Sequence, residues 1–143
     1  MGTRKWHVSR AEHHKEVANH LRDHSYFDWA AVALAYAAHQ YVHSVLSGEP
    51  GLARDERHPR KHTAPPGSGH GGRGTNQLVN AIFPGPVSEA HASLFEAGRR
   101  TRYDVERLGG GTAYALLELQ YKTVRDHCIA VNKTRPDRPA QEP

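Results

Sequence analysis

Cysteine is almost absent from this chain: Cys128 is the only one in 143 residues. That excludes an internal disulfide and a cysteine-rich zinc site. Long hydrophobic runs are also missing. The longest stretch without a charged residue lies within residues 29–48, and it holds two His, a Gln and two Ser. It reads as a buried core helix and not as a membrane span. The segment Met1 to Trp6 has no apolar signal core, and position 6 lacks the Ser or Thr of a myristoylation pattern. We therefore expect a cytoplasmic protein without membrane contact. No stretch shows the alternation of a β-strand, and no segment repeats. A phosphate loop, a dinucleotide fingerprint, a nucleophile elbow and a zinc-protease helix are all lacking.

What is present is basic and rich in imidazole. The formal charge is +4 with His counted as neutral, from 19 Lys and Arg against 15 Asp and Glu. Fourteen of the 19 are Arg, the side chain suited to bidentate contact with phosphate or carboxylate; a compositional bias of the genome gives the same excess. Twelve His make the net charge rise steeply below about pH 6.5.

The periodicity predicts an all-α, up-down bundle of four main helices and one short one, in a single domain over residues 1–133. Ser9-Arg10-Ala11-Glu12 fits a capping box for a first helix to about Asp23, with Ala11, Val17, Ala18 and Leu21 as its apolar stripe. A second helix spans Ser25 to Ser47, ended by Gly48, and is apolar on most sides through Phe27, Trp29, Ala30, Ala33, Leu34, Ala37, Tyr41 and Val45. Such a helix belongs in the middle of a bundle. Residues 48–74 hold seven of the 13 Gly and four of the nine Pro, which predicts a long mobile loop. A short third helix follows over Asn76 to Phe83, and a fourth opens at Pro86 or Ser88 and runs to about Leu108. Its candidate core residues are Val87, Ala90, Leu94, Ala97 and Tyr103. Thr112 caps a fifth helix to Lys133, with Ala115, Leu116, Leu119, Val124 and Ile129 turned inward. Residues 134–143 read as a disordered tail.

Four features carry candidate chemistry. On the second helix, Asp28, Val32, Tyr36, His39 and His43 share one face; such a polar stripe must find hydrogen-bond partners, or lie at an exposed edge or against a partner chain. In the loop, His58 and His62 have a metal-ligand spacing with His70 nearby, yet Pro59 interrupts it and no carboxylate stands as third ligand. We therefore expect no metal and no cofactor. His70-Gly71-Gly72-Arg73 brings an imidazole and a guanidinium to a loop-to-helix junction, suited to an anion or a proton transfer, or else forms a plain basic loop. Arg99-Arg100-Thr101-Arg102-Tyr103 is the densest positive cluster; it is either a solvated face or a phosphate-binding surface, with Tyr103 available to stack on a base. His127 and Cys128 are neighbours in sequence and do not form a catalytic pair on a helix.

Taken in order, Tyr26-Phe27-Asp28-Trp29-Ala30, Leu34-Ala35-Tyr36-Ala37-Ala38-His39, His70 to Arg73 and Thr101-Arg102-Tyr103 resemble the HEPN family (higher eukaryotes and prokaryotes nucleotide-binding domain) over roughly residues 8–130. The resemblance implies an α-helical bundle that forms a homodimer. It implies RNA, a nucleotide or a partner protein as ligand, the partner being an antitoxin or a nucleotidyltransferase, in a toxin–antitoxin or phage-defence setting. Many members cleave RNA without a metal, using an Arg followed four to six residues later by a His. Here Arg57 and His62 have that order, and His70 with Arg73 has the reverse. The implied roles are His62 or His70 as proton carrier and Arg57 or Arg73 as phosphate ligand. Arg99, Arg100, Arg102 and Tyr103 then form the RNA-binding surface. A non-catalytic binding module is the main expectation, and a metal-independent ribonuclease the alternative.

Overall fold

A computed structural model describes residues 2–52, 74–103 and 110–136. Among these residues the chain is all-α, with five helices and no strand. They are α1 (Arg4–Asp23), α2 (Phe27–Leu46), α3 (Thr75–Ile82), α4 (Gly85–Tyr103) and α5 (Gly111–Thr134).

α1 begins five residues before the predicted capping box. The Thr3 hydroxyl accepts from the Trp6 amide at 3.2 Å, so the first turn is satisfied there, and Ser9 lies inside the helix. The α1–α2 turn also differs from expectation. Ser25 does not open α2; it closes α1. Its amide donates to the Arg22 carbonyl at 2.9 Å and the Tyr26 amide donates to the Leu21 carbonyl at 2.8 Å, with Ser25 at φ 62°. This is a Schellman closure with a serine in the left-handed position usually held by glycine.

α2 is the central helix, as its composition predicted. It packs against α1, α4 and α5, and its buried residues run from Ala30 to Leu46. The rings of His7 and His43, and of His14 and Tyr36, set α1 antiparallel to α2. Phe27 beside Tyr114, and Ser44 accepting from Asn132, set α5 parallel to it. Polar ties hold α1 to α5: Lys15 and Arg22 both reach Glu118, and Arg4 donates to the Asn132 and Arg135 carbonyls at the end of α5.

Val87, Ala90 and Leu94 of α4 are buried as expected, and Ala97 packs against the core. On α5 the inward face is different from the predicted one. Tyr114, Leu117, Tyr121, Val124 and Cys128 are buried, whereas Leu116 and Leu119 stand 60% and 63% exposed and Ala115 is exposed as well. The helix carries two stripes at helical spacing, and the one with the larger rings meets α2 and α4. Trp29 of α2, expected in the core, is 56% exposed. Val17 of α1 is exposed too. No described helix is long and apolar enough to cross a membrane.

Candidate functional site

The polar face of α2 meets α4 in a cleft. α2 contributes Val32, Ala35, Tyr36 and His39; α4 contributes His91, Phe95, Gly98 and Arg102. These four on α4 are spaced four, three and four apart, so they share one face of the helix. Including its open mouth, the cleft holds about 340 Å³. Gly98 lets the helices approach. A Cβ on it would come within 3.1 Å of the Ala35 Cβ and 3.9 Å of the Val32 backbone.

Polar atoms organise the cleft. Arg102 donates to the Tyr36 hydroxyl at 2.6 Å and to the Gly98 carbonyl at 3.2 Å, and its guanidinium carbon lies 5.4 Å from the Tyr36 ring centre. The His39 and His91 rings lie 6.4 Å apart and nearly parallel, at 24°. Behind them runs a file of imidazoles into the protein interior. His39 is 4.6 Å from His43, and His43 is 5.8 Å from His7. All four are buried. The stripe therefore resolves inward: His39 and His43 are not at an exposed edge. His43 Nε2 lies 3.0 Å from the Thr75 hydroxyl, and His7 Nδ1 donates to Gln40 Oε1 at 2.7 Å. Burial holds the His7 imidazole below its ordinary proton affinity, against the opposing pull of Gln40. His14, packed on Tyr36 from α1, is lowered as well, first by burial and then by the charge of Arg10.

The arginine run is not one bare cationic patch. Arg99 grips Glu96 with two donors, at 3.0 and 2.7 Å, and Arg100 reaches the same carboxylate at 3.2 Å. The hydrogen bonds from Arg99, aided by Arg100, hold the Glu96 carboxyl down at about 2. Arg102 alone of the three arginines lines the cleft. The Tyr103 side chain lies outside the described residues, as do Arg57, His58, His62, His70 and Arg73. Asp28 sits in the first turn of α2, where a carboxylate complements the helix dipole, and it does not line the cleft.

His91 and Phe95 escaped the sequence reading. The inward pattern on α4 was drawn through Val87, Ala90, Leu94 and Ala97, and the neighbouring stripe of His91, Phe95, Gly98 and Arg102 reads as polar surface until α2 is placed against it. Its four-three-four helical spacing was the available signal. Among the described residues no group of three or more His, Cys, Asp or Glu is arranged to hold a metal. His127 packs on Phe83 with ring centres 5.4 Å apart, while Cys128 is wholly buried, its thiol pushed up to about 12 by that burial. Compared with family models, curated proteins and solved structures, the chain matches none.

Proposed function

We propose that this chain is a HEPN-like module that binds RNA through the α2–α4 cleft and the arginine-bearing end of α4. Of the three ligands the resemblance allows, RNA, a nucleotide and a partner protein, RNA suits the chemistry best. The observation that supports this is the joining of a guanidinium, two imidazoles and two aromatic rings around one open cleft: Arg102, His39, His91, Tyr36 and Phe95. Guanidinium and imidazole N–H groups suit phosphate oxygens, and the rings suit bases. A homodimer, and an antitoxin or nucleotidyltransferase partner in a toxin–antitoxin or phage-defence setting, belong to the same reading through the resemblance. The test is the salt dependence of affinity for a labelled RNA. Affinity should fall steeply with salt, with a slope of about −0.7 per phosphate contact for a single strand. Arg102→Ala should weaken binding and reduce the magnitude of that slope by about 0.7, with Arg102→Lys intermediate. A flat salt response refutes RNA and favours a protein partner.

One observation favours a metal-independent ribonuclease as a second reading. His39 and His91 stand on the lining of the cleft that also holds Arg102, so proton carriers and a phosphate ligand are within one site. Cleavage of RNA in excess chelator tests it, with two controls. Loss in His39→Ala/His91→Ala locates chemistry in the cleft; loss only in His62→Ala/His70→Ala locates it in the loop. Cleavage that survives both refutes either assignment.

A further inference from the structure

Among the described residues, two pairs of histidines stand four positions apart. His39 and His43 on α2 are buried, and His43 Nε2 is engaged with the Thr75 hydroxyl. His20 and His24, at the C-terminal end of α1, are both exposed. Their ring centres lie 4.5 Å apart, with the ring planes at 43°. No proline interrupts this pair, in contrast to His58 and His62.

The backbone under both rings is fixed. His20 lies in the last turn of α1 and His24 caps it, the His24 amide donating to the His20 and Leu21 carbonyls. His24 Nδ1 lies 2.9 Å from the His20 carbonyl oxygen. A carbonyl only accepts, so Nδ1 carries the proton, and the lone pair of the neutral ring is on Nε2. Metal-binding imidazoles make this outer hydrogen bond through their second nitrogen. The ring separation also suits an ion held between the two. With a nitrogen–metal bond of about 2.1 Å, each ring centre stands about 3.2 Å from the ion. Bond angles between square and tetrahedral then set the centres about 4.5–5.2 Å apart. Arg22, the cation between the two in sequence, is turned to Asp23 and to Glu118 of α5. Glu16, one turn before His20, puts an exposed carboxylate on the same face.

We propose that His20 and His24 form a surface site for one transition-metal dication of the class that prefers imidazole: Ni²⁺, Cu²⁺ or Zn²⁺. The two ring nitrogens hold the ion, and water fills its remaining positions. Hard cations such as Mg²⁺ and Ca²⁺ require oxygen ligands and are not taken up there. Neither histidine lines the α2–α4 cleft, so the site stands apart from the RNA-binding reading.

The experiment titrates the metal-stripped full chain with NiCl₂ by isothermal calorimetry, with and without excess MgCl₂. His20→Ala, His24→Ala and His58→Ala/His62→Ala are titrated in parallel. The wild type should take up Ni²⁺. Either single substitution should remove one equivalent or weaken it at least about tenfold, the cost of losing even an outer partner of a metal ligand. His58→Ala/His62→Ala should keep that equivalent, and Mg²⁺ should not displace it. Circular dichroism should be unchanged in the single variants, since both side chains are exposed. Absence of Ni²⁺ uptake overturns the proposal. So does uptake that survives either single substitution at full strength, because a chelate needs both rings. An equivalent lost only in His58→Ala/His62→Ala places the ion in the loop and overturns it as well. Displacement by Mg²⁺ shows a site for hard cations and refutes the imidazole pair.

Discussion

The Arg102 guanidinium donates to the Tyr36 hydroxyl at 2.6 Å, across 66 positions of sequence. The same group lies over the Tyr36 ring, so one side chain fastens the end of α4 to the middle of α2 both by its edge and by its face. Tyr36→Phe keeps the ring and removes the acceptor. We expect a stability loss of about 1 kcal/mol in urea denaturation, the worth of a partly exposed hydrogen bond to a charged group. RNA affinity should fall severalfold as Arg102 loses its orientation. An unchanged unfolding midpoint refutes the contact.

Gly98 predicts a steric effect. Its hydrogen faces the Ala35 Cβ, and any added carbon comes within 3.1 Å of that atom. Gly98→Val should destabilise the fold by about 1–3 kcal/mol by forcing α2 and α4 apart. Pairing it with Ala35→Gly should restore part of the loss, measured by a double-mutant cycle. Strict additivity would show that the two positions do not touch.

Acid should weaken the fold. Burial lowers the proton affinity of His7, His14 and His127 in the folded chain, while the unfolded chain titrates near 6.5. Well above that value these three imidazoles are neutral in both states, so their contribution to stability is full. As pH falls below it, the unfolded chain binds protons the folded chain refuses, and stability declines. His7 also stands 5.8 Å from His43, so a charge on one opposes a charge on the other. The urea midpoint should be lower at pH 5 than at pH 7.5, and His7→Gln, which keeps a hydrogen-bonding side chain, should narrow that difference. An equal midpoint at both pH values refutes it.

Two leucines test which stripes are inside. Leu34 is wholly buried at the centre of α2, and Leu34→Ala should cost about 2–5 kcal/mol. Leu119 is exposed, and Leu119→Ala should change stability by no more than about 0.5 kcal/mol. A large loss at Leu119 in the isolated chain would return it to the core. If the loss appears only at high protein concentration, Leu119 lies in a contact between copies.

Ser25 sits at φ 62°, a conformation costly for a residue with a side chain. Ser25→Gly should raise stability by up to about 1 kcal/mol, since glycine is at ease there and loses only its extra freedom in the unfolded chain. A destabilised Ser25→Gly would contradict the Schellman closure.

Much of the fold was legible in the residues. The near-continuous apolar sequence of α2 leaves it nowhere to sit except the centre. Pro84 stands between α3 and α4, whose first turn takes in Gly85 and Pro86, and Gly110 and Gly111 open α5. Errors arose where one helix offers two stripes. On α5, Leu116 and Leu119 carry no polar atom whereas Tyr114 and Tyr121 each carry a hydroxyl, yet the tyrosine rings reach Phe27 and Tyr41 of α2. The start of α1 was misread for a local reason: Thr3 and Ser9 are both competent caps, and nothing nearby in sequence ranks them.

The candidate site was half legible. Asp28, Tyr36, His39 and His43 stood out as a polar stripe on an apolar helix, and Arg102 stood out by charge. The sequence could not give them their partners. A helix fixes spacing along its own axis, so composition and periodicity determined the all-α class, the central helix and the stripe it carries. Which stripe of α4 faces that helix depends on contacts between residues about fifty to seventy positions apart. Only the packed structure decided that His91, Phe95 and Arg102 close the cleft, that Glu96 takes up two of the arginines, and that Trp29 remains in solvent. Burial of apolar area is non-directional and leaves several pairings open. Close approach at Gly98 and the directed bond from Arg102 to Tyr36 select one.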